Sequence, residues 1–258
     1  MSLIDLRAVI DPQAELDDNV SVGPFTIIGP SVQIGAGTKI GSHIVIKGPT
    51  TIGKNNLIFQ FASIGDDPQD QKYAGEITHL NIGDHNIIRE FVTINRGTVQ
   101  DAKVTRIGNH NLFMAYVHVA HDCQIGNRVI MANAASLGGH VKIDDWAILG
   151  GFTIVHQFCH IGQHSFCAMG SVLTKDVPPY ITVGGHPAEP RGINAEGLRR
   201  RSFPPQTIQT IKRAYRLLYM SGMRLEEAIQ AMTELGATYP EVNIMTDFVI
   251  SSPRSITR

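Results

Sequence analysis

The fold of this chain is decided by residues 119–149, which read VAHDCQIGNRVIMANAASLGGHVKIDDWAIL. A large apolar side chain returns there at every sixth position. These positions are Val119, Ile125, Met131, Leu137, Ile143 and Leu149. A period of six does not match the 3.6 residues of a helical turn, but it fits a short strand, a turn and another strand. Three such faces close a coil of about eighteen residues, and stacked coils form a parallel β-helix.

The same period extends over most of the chain. The further ladder positions are Ile4, Ile10, Leu16, Val22, Ile28, Ile34, Ile40, Ile46, Ile52, Ile58, Ile64, Ile82, Ile88, Ile94, Ile107, Phe113, Val155, Ile161, Cys167 and Leu173. Chance spacing is excluded because the phase holds without a break from Ile107 to Leu173. Polar insertions interrupt it at residues 66–81 and 97–106. Loops that leave a rigid scaffold often carry function. We expect this of the first insertion and interpret the second as a tolerated surface loop.

The period changes near the C-terminal end. After a linker rich in glycine and proline, apolar residues take helical spacing in three segments, which begin near Pro204, Leu225 and Pro240. We therefore predict a mainly β protein with two domains. A β-helix spans residues 1–187, and a small α-helical domain, residues 188–258, covers the last coil.

Composition narrows the classes of function. Of the 258 residues, 17% are charged and the net charge is -1, which argues against nucleic-acid binding. Three cysteines are too few for a disulfide scaffold, so we interpret them as packing residues. We find no signal peptide. The longest stretch without Asp, Glu, Lys or Arg, residues 146–174, contains histidines and regularly spaced glycines, so we do not interpret it as a membrane span. We expect a cytoplasmic protein without stable membrane insertion.

The histidines matter through their register. With coils of about eighteen residues, His121, His140 and His156 fall at the same corner of three successive coils. His118 lies shortly before His121. Four others are predicted to be solvated turn residues: His43, His85, His110 and His164.

Three interpretations of the histidine corner remain open: solvated turns, a zinc site, and general-base catalysis. The neighbouring Asp122 and Gln157 suit hydrogen bonding better than metal ligation, so we expect no metal. Asp122 would orient an imidazole, as the acid of a catalytic triad does. Adjacent residues in an extended strand point apart, which also allows Asp122 to meet a histidine across a subunit boundary.

Several segments resemble the UDP-N-acetylglucosamine O-acyltransferase family, within the hexapeptide-repeat acyltransferases. The segments are residues 65–73, 96–100, 118–123, 139–141, 155–159 and 194–201. The resemblance covers essentially the whole chain and implies a left-handed β-helix. It also implies transfer of an (R)-3-hydroxyacyl group from acyl carrier protein to the 3-hydroxyl of UDP-N-acetylglucosamine, the first step of lipid A biosynthesis. The implied enzyme is a homotrimer with sites between subunits, and it needs no cofactor because acyl carrier protein is a substrate.

The resemblance also implies residue roles. His121 would be the general base, Asp122 its partner, and the Gly139 amide the oxyanion donor. Asp70 and Lys72 would reach the sugar from a neighbouring subunit. The full set of implied substrate-binding residues is Gln69, Asp70, Lys72, His118, His140, His156, Gln157, Asn194, Glu196 and Arg200.

Chain length and carrier docking follow from two further features. Met169 stands where the family's long-chain enzymes carry glycine, so we predict a medium acyl chain, near 3-hydroxydecanoyl. Consecutive arginines at 199–201 are predicted to contact the acidic carrier protein. Asn95 and His186 depart from the family pattern, which usually has His and Asn there.

Three other functions are weighed. The sister N-acyltransferase carries a uridine-binding domain before its repeat, and here the hexads begin at Ile4. A zinc enzyme of carbonic-anhydrase type would hold stoichiometric metal. A non-catalytic β-helix scaffold would have polar corners without activity.

Overall fold

The computed structural model describes residues 3–258, most of which form a left-handed β-helix of short strands. The strands of the first half are β1 (Val9–Ile10), β2 (Glu15–Leu16), β3 (Ser21–Val22), β4 (Ile27–Ile28), β5 (Val32–Ile34), β6 (Lys39–Ile40), β7 (Val45–Ile46), β8 (Thr50–Ile52), β9 (Leu57–Ile58), β10 (Ser63–Asp66), β11 (His79–Ile82), β12 (Ile87–Ile88), β13 (Thr93–Asn95) and β14 (Val104–Ile107). Those of the second half are β15 (Leu112–Phe113), β16 (His118–Val119), β17 (Gln124–Ile125), β18 (Ile130–Met131), β19 (Ser136–Leu137), β20 (Lys142–Ile143), β21 (Ile148–Leu149), β22 (Ile154–Val155), β23 (His160–Ile161), β24 (Phe166–Cys167), β25 (Val172–Leu173), β26 (Ile181–Gly185) and β27 (Ala188–Ile193).

Every third strand joins the same sheet, so the coil has three faces. Sheet I contains β1, β4 and so on to β25, sheet II runs from β2 to β23, and sheet III runs from β3 to β24 and continues into β26 and β27. Val119 pairs in parallel with Leu137, and Leu137 with Val155. This register confirms the predicted coil of about eighteen residues.

The predicted ladder forms the core. From Val22 to Leu173 every ladder residue is buried, and several of them are fully inaccessible to solvent. Burying one such side chain contributes about 1.5–3 kcal/mol, and the stacked coils repeat that gain along the axis. The first two residues of the predicted β-helix domain lie outside the described residues.

Buried asparagines satisfy the backbone at the corner between sheets II and III. Asn86 donates from Nδ2 to the Gly108 carbonyl and accepts the Asn111 N–H through Oδ1. Asn56 and Asn111 make the same pair of contacts one coil away on either side. Buried backbone groups need such partners, so this corner is structural.

The helices are α1 (Ala195–Arg200), α2 (Pro205–Tyr219), α3 (Leu225–Gly236) and α4 (Pro240–Ser251). The three predicted helices are confirmed, and α1 is an addition. Strand β27 lies beyond residue 187, the predicted end of the β-helix domain. It pairs antiparallel with β26 and supplies partners to the end of sheet III. The division into two domains stays a prediction. The helical part therefore begins at Ala195.

The helical part covers the last coil, as predicted. Phe248 of α4 packs on His160 with ring centroids 4.5 Å apart, and Ile256 bridges to Asp176. Within residues 3–258, no helix is long and apolar enough to cross a membrane.

Candidate active site

The predicted histidine corner lies between sheets I and II. His121 follows β16, and Gly139 and Gln157 hold the equivalent position in the next two coils. His140 comes one position later in its coil, so its ring meets the His121 ring edge-on, with centroids 5.1 Å apart. His156 shares the corner, but His140 stacks on Phe158 at 4.4 Å and not on His156. The corner holds all three histidines, and two of them form a contacting pair.

A cavity of about 800 Å³ opens beside this pair. It is lined by both insertions and by the corner itself: Gln69, Asp70, Gln71, Lys72, Gln100, Asp101, His121, His140, Gln157 and Phe158. Within one chain, Asp70 and Lys72 of the first insertion already line the cavity beside His121. Their arrival from a neighbouring subunit stays a prediction.

His121 and Asp122 form a short hydrogen-bonded pair. The His121 Nδ1 lies 2.9 Å from Asp122 Oδ2. Asp122 has a φ of 59°, a left-handed conformation that turns its side chain back towards the preceding residue. This backbone conformation overturns the expectation that the two side chains point apart. It also makes a cross-subunit partner for Asp122 unnecessary.

The environment keeps Asp122 ionised. Burial raises the pKa of its carboxyl, but hydrogen bonds from His121 and Thr98 outweigh burial and hold the pKa below its ordinary value. Its side chain is 0% exposed. Because the carboxylate is an acceptor only, Nδ1 of His121 must carry the proton, which leaves Nε2 unprotonated in the neutral ring.

Gly139 lies directly against the His121 ring. A Cβ at this position would lie 2.5 Å from Cε1 and 2.7 Å from Nε2 of His121, so no larger residue fits without displacing the imidazole. Within residues 3–258 the Gly139 N–H has no hydrogen-bond acceptor. A free amide donor therefore sits beside a free imidazole nitrogen.

The second insertion also belongs to the site. Asp101 Oδ2 lies 2.9 Å from His140 Nδ1, and Gln100 and Asp101 line the cavity. The Thr98 N–H and hydroxyl donate to Asp122. The interpretation of this segment as a tolerated surface loop is therefore wrong. These contacts link residues far apart in the chain, and no local pattern in the sequence signals them.

Arg96 anchors the first insertion. Its guanidinium is 7% exposed and donates to the Gly65 carbonyl, the Asp67 carboxylate and the Tyr73 hydroxyl. Asn95, which departs from the family pattern, donates from Nδ2 to the Asp67 carbonyl at 2.6 Å. Asn95 therefore holds the loop in place and does not line the cavity.

Comparison with known proteins identifies the family. Residues 105–139 match the family model of the bacterial transferase hexapeptide (six repeats), and residues 176–257 match that of UDP N-acetylglucosamine O-acyltransferase, domain 2. A relative from Stutzerimonas stutzeri, named acyl-[acyl-carrier-protein]--UDP-N-acetylglucosamine O-acyltransferase, is 56% identical over 258 residues, 100% of both chains. The chain belongs to the UDP-N-acetylglucosamine O-acyltransferase family.

Solved structures agree with this assignment to the O-acyltransferase family. LpxA from Acinetobacter baumannii is 47% identical, with a TM-score of 0.96 and 100% of both chains covered. UDP-N-acetylglucosamine O-acyltransferase (LpxA) from Moraxella catarrhalis is 44% identical, with a TM-score of 0.97 and the same coverage. A relative from Pseudomonas aeruginosa, also named acyl-[acyl-carrier-protein]--UDP-N-acetylglucosamine O-acyltransferase, is 56% identical over 100% of both chains.

Three residues implied by the family resemblance lie elsewhere in the chain. Asn194, Glu196 and Arg200 line a second cavity, of about 650 Å³, against sheet III. Asn194 caps α1 by accepting the Gly197 N–H, and Glu196 pairs with Arg200. One copy of this O-acyltransferase chain therefore does not bring these residues to His121.

His118 and His156 stand beside the cavity and do not line it. Burial, and then the neighbouring His121, lower the pKa of His118, whose Nδ1 lies 2.7 Å from Thr93 Oγ1. His156 is exposed, with its Nδ1 3.0 Å from the Gln157 carbonyl. Their predicted role in substrate binding stays a prediction.

His164 is not a solvated turn residue. Its ring is buried between Trp146 and Tyr180, and burial together with Arg201 lowers its pKa to about 4. Arg201 lies over the Trp146 ring, so residues 199–201 do not form one exposed basic patch. The expectation of solvated turns is confirmed for the three other histidines, His43, His85 and His110, which are exposed.

The cysteines are packing residues, as predicted. Cys123, Cys159 and Cys167 are buried free thiols. Burial raises the pKa of Cys123 to about 12, which removes thiolate character at neutral pH.

A metal interpretation has some geometric support. Ligand atoms of His121, Asp122 and His140 lie within 4.8 Å of one another. The Asp122 oxygens already accept hydrogen bonds from Thr98 and His121. This donor set fits an oriented imidazole better than a metal centre.

Proposed function

We propose that the protein is an acyl-[acyl-carrier-protein]--UDP-N-acetylglucosamine O-acyltransferase of the cytoplasm. It would transfer an (R)-3-hydroxyacyl group to the sugar 3-hydroxyl in the first step of lipid A biosynthesis. The observation that carries the proposal is the His121–Asp122 pair, whose free Nε2 lies beside the unpaired Gly139 amide. Relatives that are 56% identical over the whole chain bear the name of this activity.

The geometry supports a general-base mechanism. Nε2 of His121 takes the proton of the 3-hydroxyl while the oxygen attacks the thioester carbonyl carbon, a step worth about 10²–10⁴-fold. Asp122 keeps the imidazole in the required tautomer and stabilises the imidazolium that forms. The Gly139 N–H donates to the tetrahedral oxyanion, a contribution of about 10²–10³-fold. When the intermediate collapses, the carrier thiolate leaves and takes the proton from His121.

Acceptor binding divides between two parts of the chain. Lys72, Asp70 and Gln69 of the first insertion face His140 and Gln157 across the cavity, which suits a sugar with several hydroxyls. Asn194, Glu196 and Arg200 would join this site only from a second copy of the chain. We propose a homotrimer in which neighbouring chains share each site, because closed symmetry creates identical grooves between copies.

An exposed apolar strip suits the acyl tail. Phe158 lines the cavity, and Ile154 and Phe152 lie on the same coil across sheet I, 54% and 69% exposed. Met169 is 81% exposed at the far corner of sheet I, one coil further on. A tail that crosses sheet I from His121 would end against Met169, which supports the preference for a chain near 3-hydroxydecanoyl.

The chain-length proposal is tested with Met169→Gly and donors of increasing length. We expect the wild type to prefer medium donors by about 10–200-fold, and the variant to gain activity with long donors. A wild type that already prefers 3-hydroxymyristoyl donors, or a variant that gains nothing, contradicts the proposal that Met169 limits the length of the acyl chain.

The main experiment incubates the protein with UDP-N-acetylglucosamine and 3-hydroxyacyl carrier proteins, with mass detection of the product. His121→Ala should lose about 10²–10⁴-fold in kcat while keeping its melting temperature. His110→Ala is the matched control, since His110 is an exposed corner histidine away from the cavity. Near-normal turnover by a folded His121→Ala protein would contradict the assignment of the base.

The cluster of His121, Asp122 and His140 keeps one alternative open, a zinc enzyme of carbonic-anhydrase type. Elemental analysis together with an assay of CO₂ hydration decides between them. Stoichiometric zinc, hydration activity and no acyl transfer would favour the alternative. Acyl transfer that persists in chelator supports the proposed reaction.

A further inference from the structure

The second insertion, residues 97–106, hydrogen-bonds to His140 directly and to His121 through Asp122. We infer that this insertion positions the pair: Thr98 orients Asp122 and thereby His121, and Asp101 orients His140. The inference rests on the acyl transfer proposed above. It assigns Thr98 and Asp101 the role of positioning residues, which act through the histidines and not on the reacting atoms.

Thr98 holds the carboxylate on which His121 depends. Its N–H lies 2.9 and 3.0 Å from the two Asp122 oxygens, and its hydroxyl donates to Oδ2 at 2.7 Å. Oδ2 is the oxygen that accepts from His121 Nδ1. Thr98 is 1% exposed, so water does not replace the hydroxyl when it is lost.

The other end of the insertion holds the same residue. The Asp122 N–H donates to Thr105 Oγ1 at 2.8 Å. One end of the insertion therefore hydrogen-bonds to the Asp122 carboxylate, and the other end hydrogen-bonds to the Asp122 backbone. A carboxylate held at both ends presents a fixed oxygen to His121, which is the preorganisation that catalysis requires.

Asp101 does for His140 what Asp122 does for His121. Its Oδ2 lies 2.9 Å from His140 Nδ1, so each imidazole meets a carboxylate through Nδ1. Stacking on Phe158 fixes the plane of the His140 ring. Asp101 is half-exposed, and its contribution is correspondingly smaller than that of Thr98.

The two ends of the insertion pack closely against each other. A Cβ on Gly97 would lie 2.2 Å from the Val104 nitrogen, so the two ends of the insertion approach too closely for any other residue. The Gly97 N–H donates to the His79 carbonyl at 3.1 Å. These contacts fix the start of the insertion against the β-helix, and Thr98 follows directly after Gly97.

The test compares Thr98→Val with Thr98→Ser. Valine removes the hydroxyl and keeps the branched shape, so we expect kcat to fall about ten- to a hundred-fold while KM for UDP-N-acetylglucosamine changes little. Serine restores the hydroxyl and should recover most of kcat. The matched control is Thr38→Val, since Thr38 is a fully buried threonine whose hydroxyl donates to the Gly53 carbonyl outside the cavity. That variant should lose stability without losing kcat.

A double variant separates positioning from packing. If Thr98 acts through Asp122, then Thr98→Val combined with Asp122→Asn is no slower than Asp122→Asn alone. Asp101→Ala should raise KM for UDP-N-acetylglucosamine about two- to five-fold, through the freed His140 ring.

Three results would overturn the inference: wild-type kcat in folded Thr98→Val, no recovery in Thr98→Ser, or additive losses in the double variant. A wild type that transfers no acyl group is a different outcome. That outcome would contradict the proposed function itself, before any variant is compared.

Discussion

Replacing Gly139 by alanine is the sharpest test of the catalytic geometry. The added Cβ would lie 2.5 Å from His121 Cε1, whereas ordinary contacts begin at 3.4 Å. The imidazole must therefore retreat by about 1 Å, which lengthens its bond to Asp122 and moves Nε2 away from the acceptor hydroxyl. A misplacement of about 1 Å costs about 10²-fold in rate, so we expect kcat to fall by that factor. Alanine keeps the amide N–H, so the oxyanion donor itself is not removed.

The assay is steady-state acyl transfer, with the melting temperature measured in parallel. Gly29→Ala is the matched control, because Gly29 lies several coils from the cavity and a Cβ there approaches the Ile46 carbonyl no closer than 3.4 Å. The control should keep wild-type kcat. If folded Gly139→Ala also keeps wild-type kcat, His121 does not need the position that the structure gives it, and the general-base reasoning is refuted.

Two further predictions concern the loop and the pH dependence of stability. Arg96→Lys should raise KM for UDP-N-acetylglucosamine several-fold with little change in kcat, because lysine cannot make the three contacts of Arg96 that hold the first insertion; an unchanged KM in steady-state kinetics would count against the loop as a substrate contact. The pKa of His164 falls from 6.5 in the unfolded chain to about 4 in the folded one, so the unfolded state binds more protons between these values and stability decreases as the pH falls from 6.5 towards 4. Phenylalanine is a suitable replacement, because Phe152 and Phe158 occupy corner positions with the same positive φ. In denaturant titrations, His164→Phe should reduce the loss of folding free energy at low pH by roughly 2 kcal/mol. Identical pH profiles for the two proteins would exclude His164 as the cause.

Much of the fold follows from local pattern. Each coil repeats one inward side chain per face, so a six-residue period in the chain is also the period of the core, and Ile125, Ile143 and Ile161 stack as the spacing requires. Helical spacing near Pro205, Leu225 and Pro240 is local in the same sense. The segment from Ala188 to Ile193 has no such period, and its place in sheet III depends on an edge that only the folded β-helix presents.

The sequence by itself determined the β-helix, the helical cap and the corner that gathers His121 and His140, because all three depend on spacing along one chain. The tertiary structure decided how those histidines are held. Asp122 reaches His121 only through a left-handed backbone conformation, which no residue pattern revealed. Thr98 and Asp101 reach their partners from 24 and 39 residues away, and the strength of a hydrogen bond depends on distance in space and not on separation in the chain. For the same reason, only the folded chain showed that Asn194, Glu196 and Arg200 line a different cavity from His121.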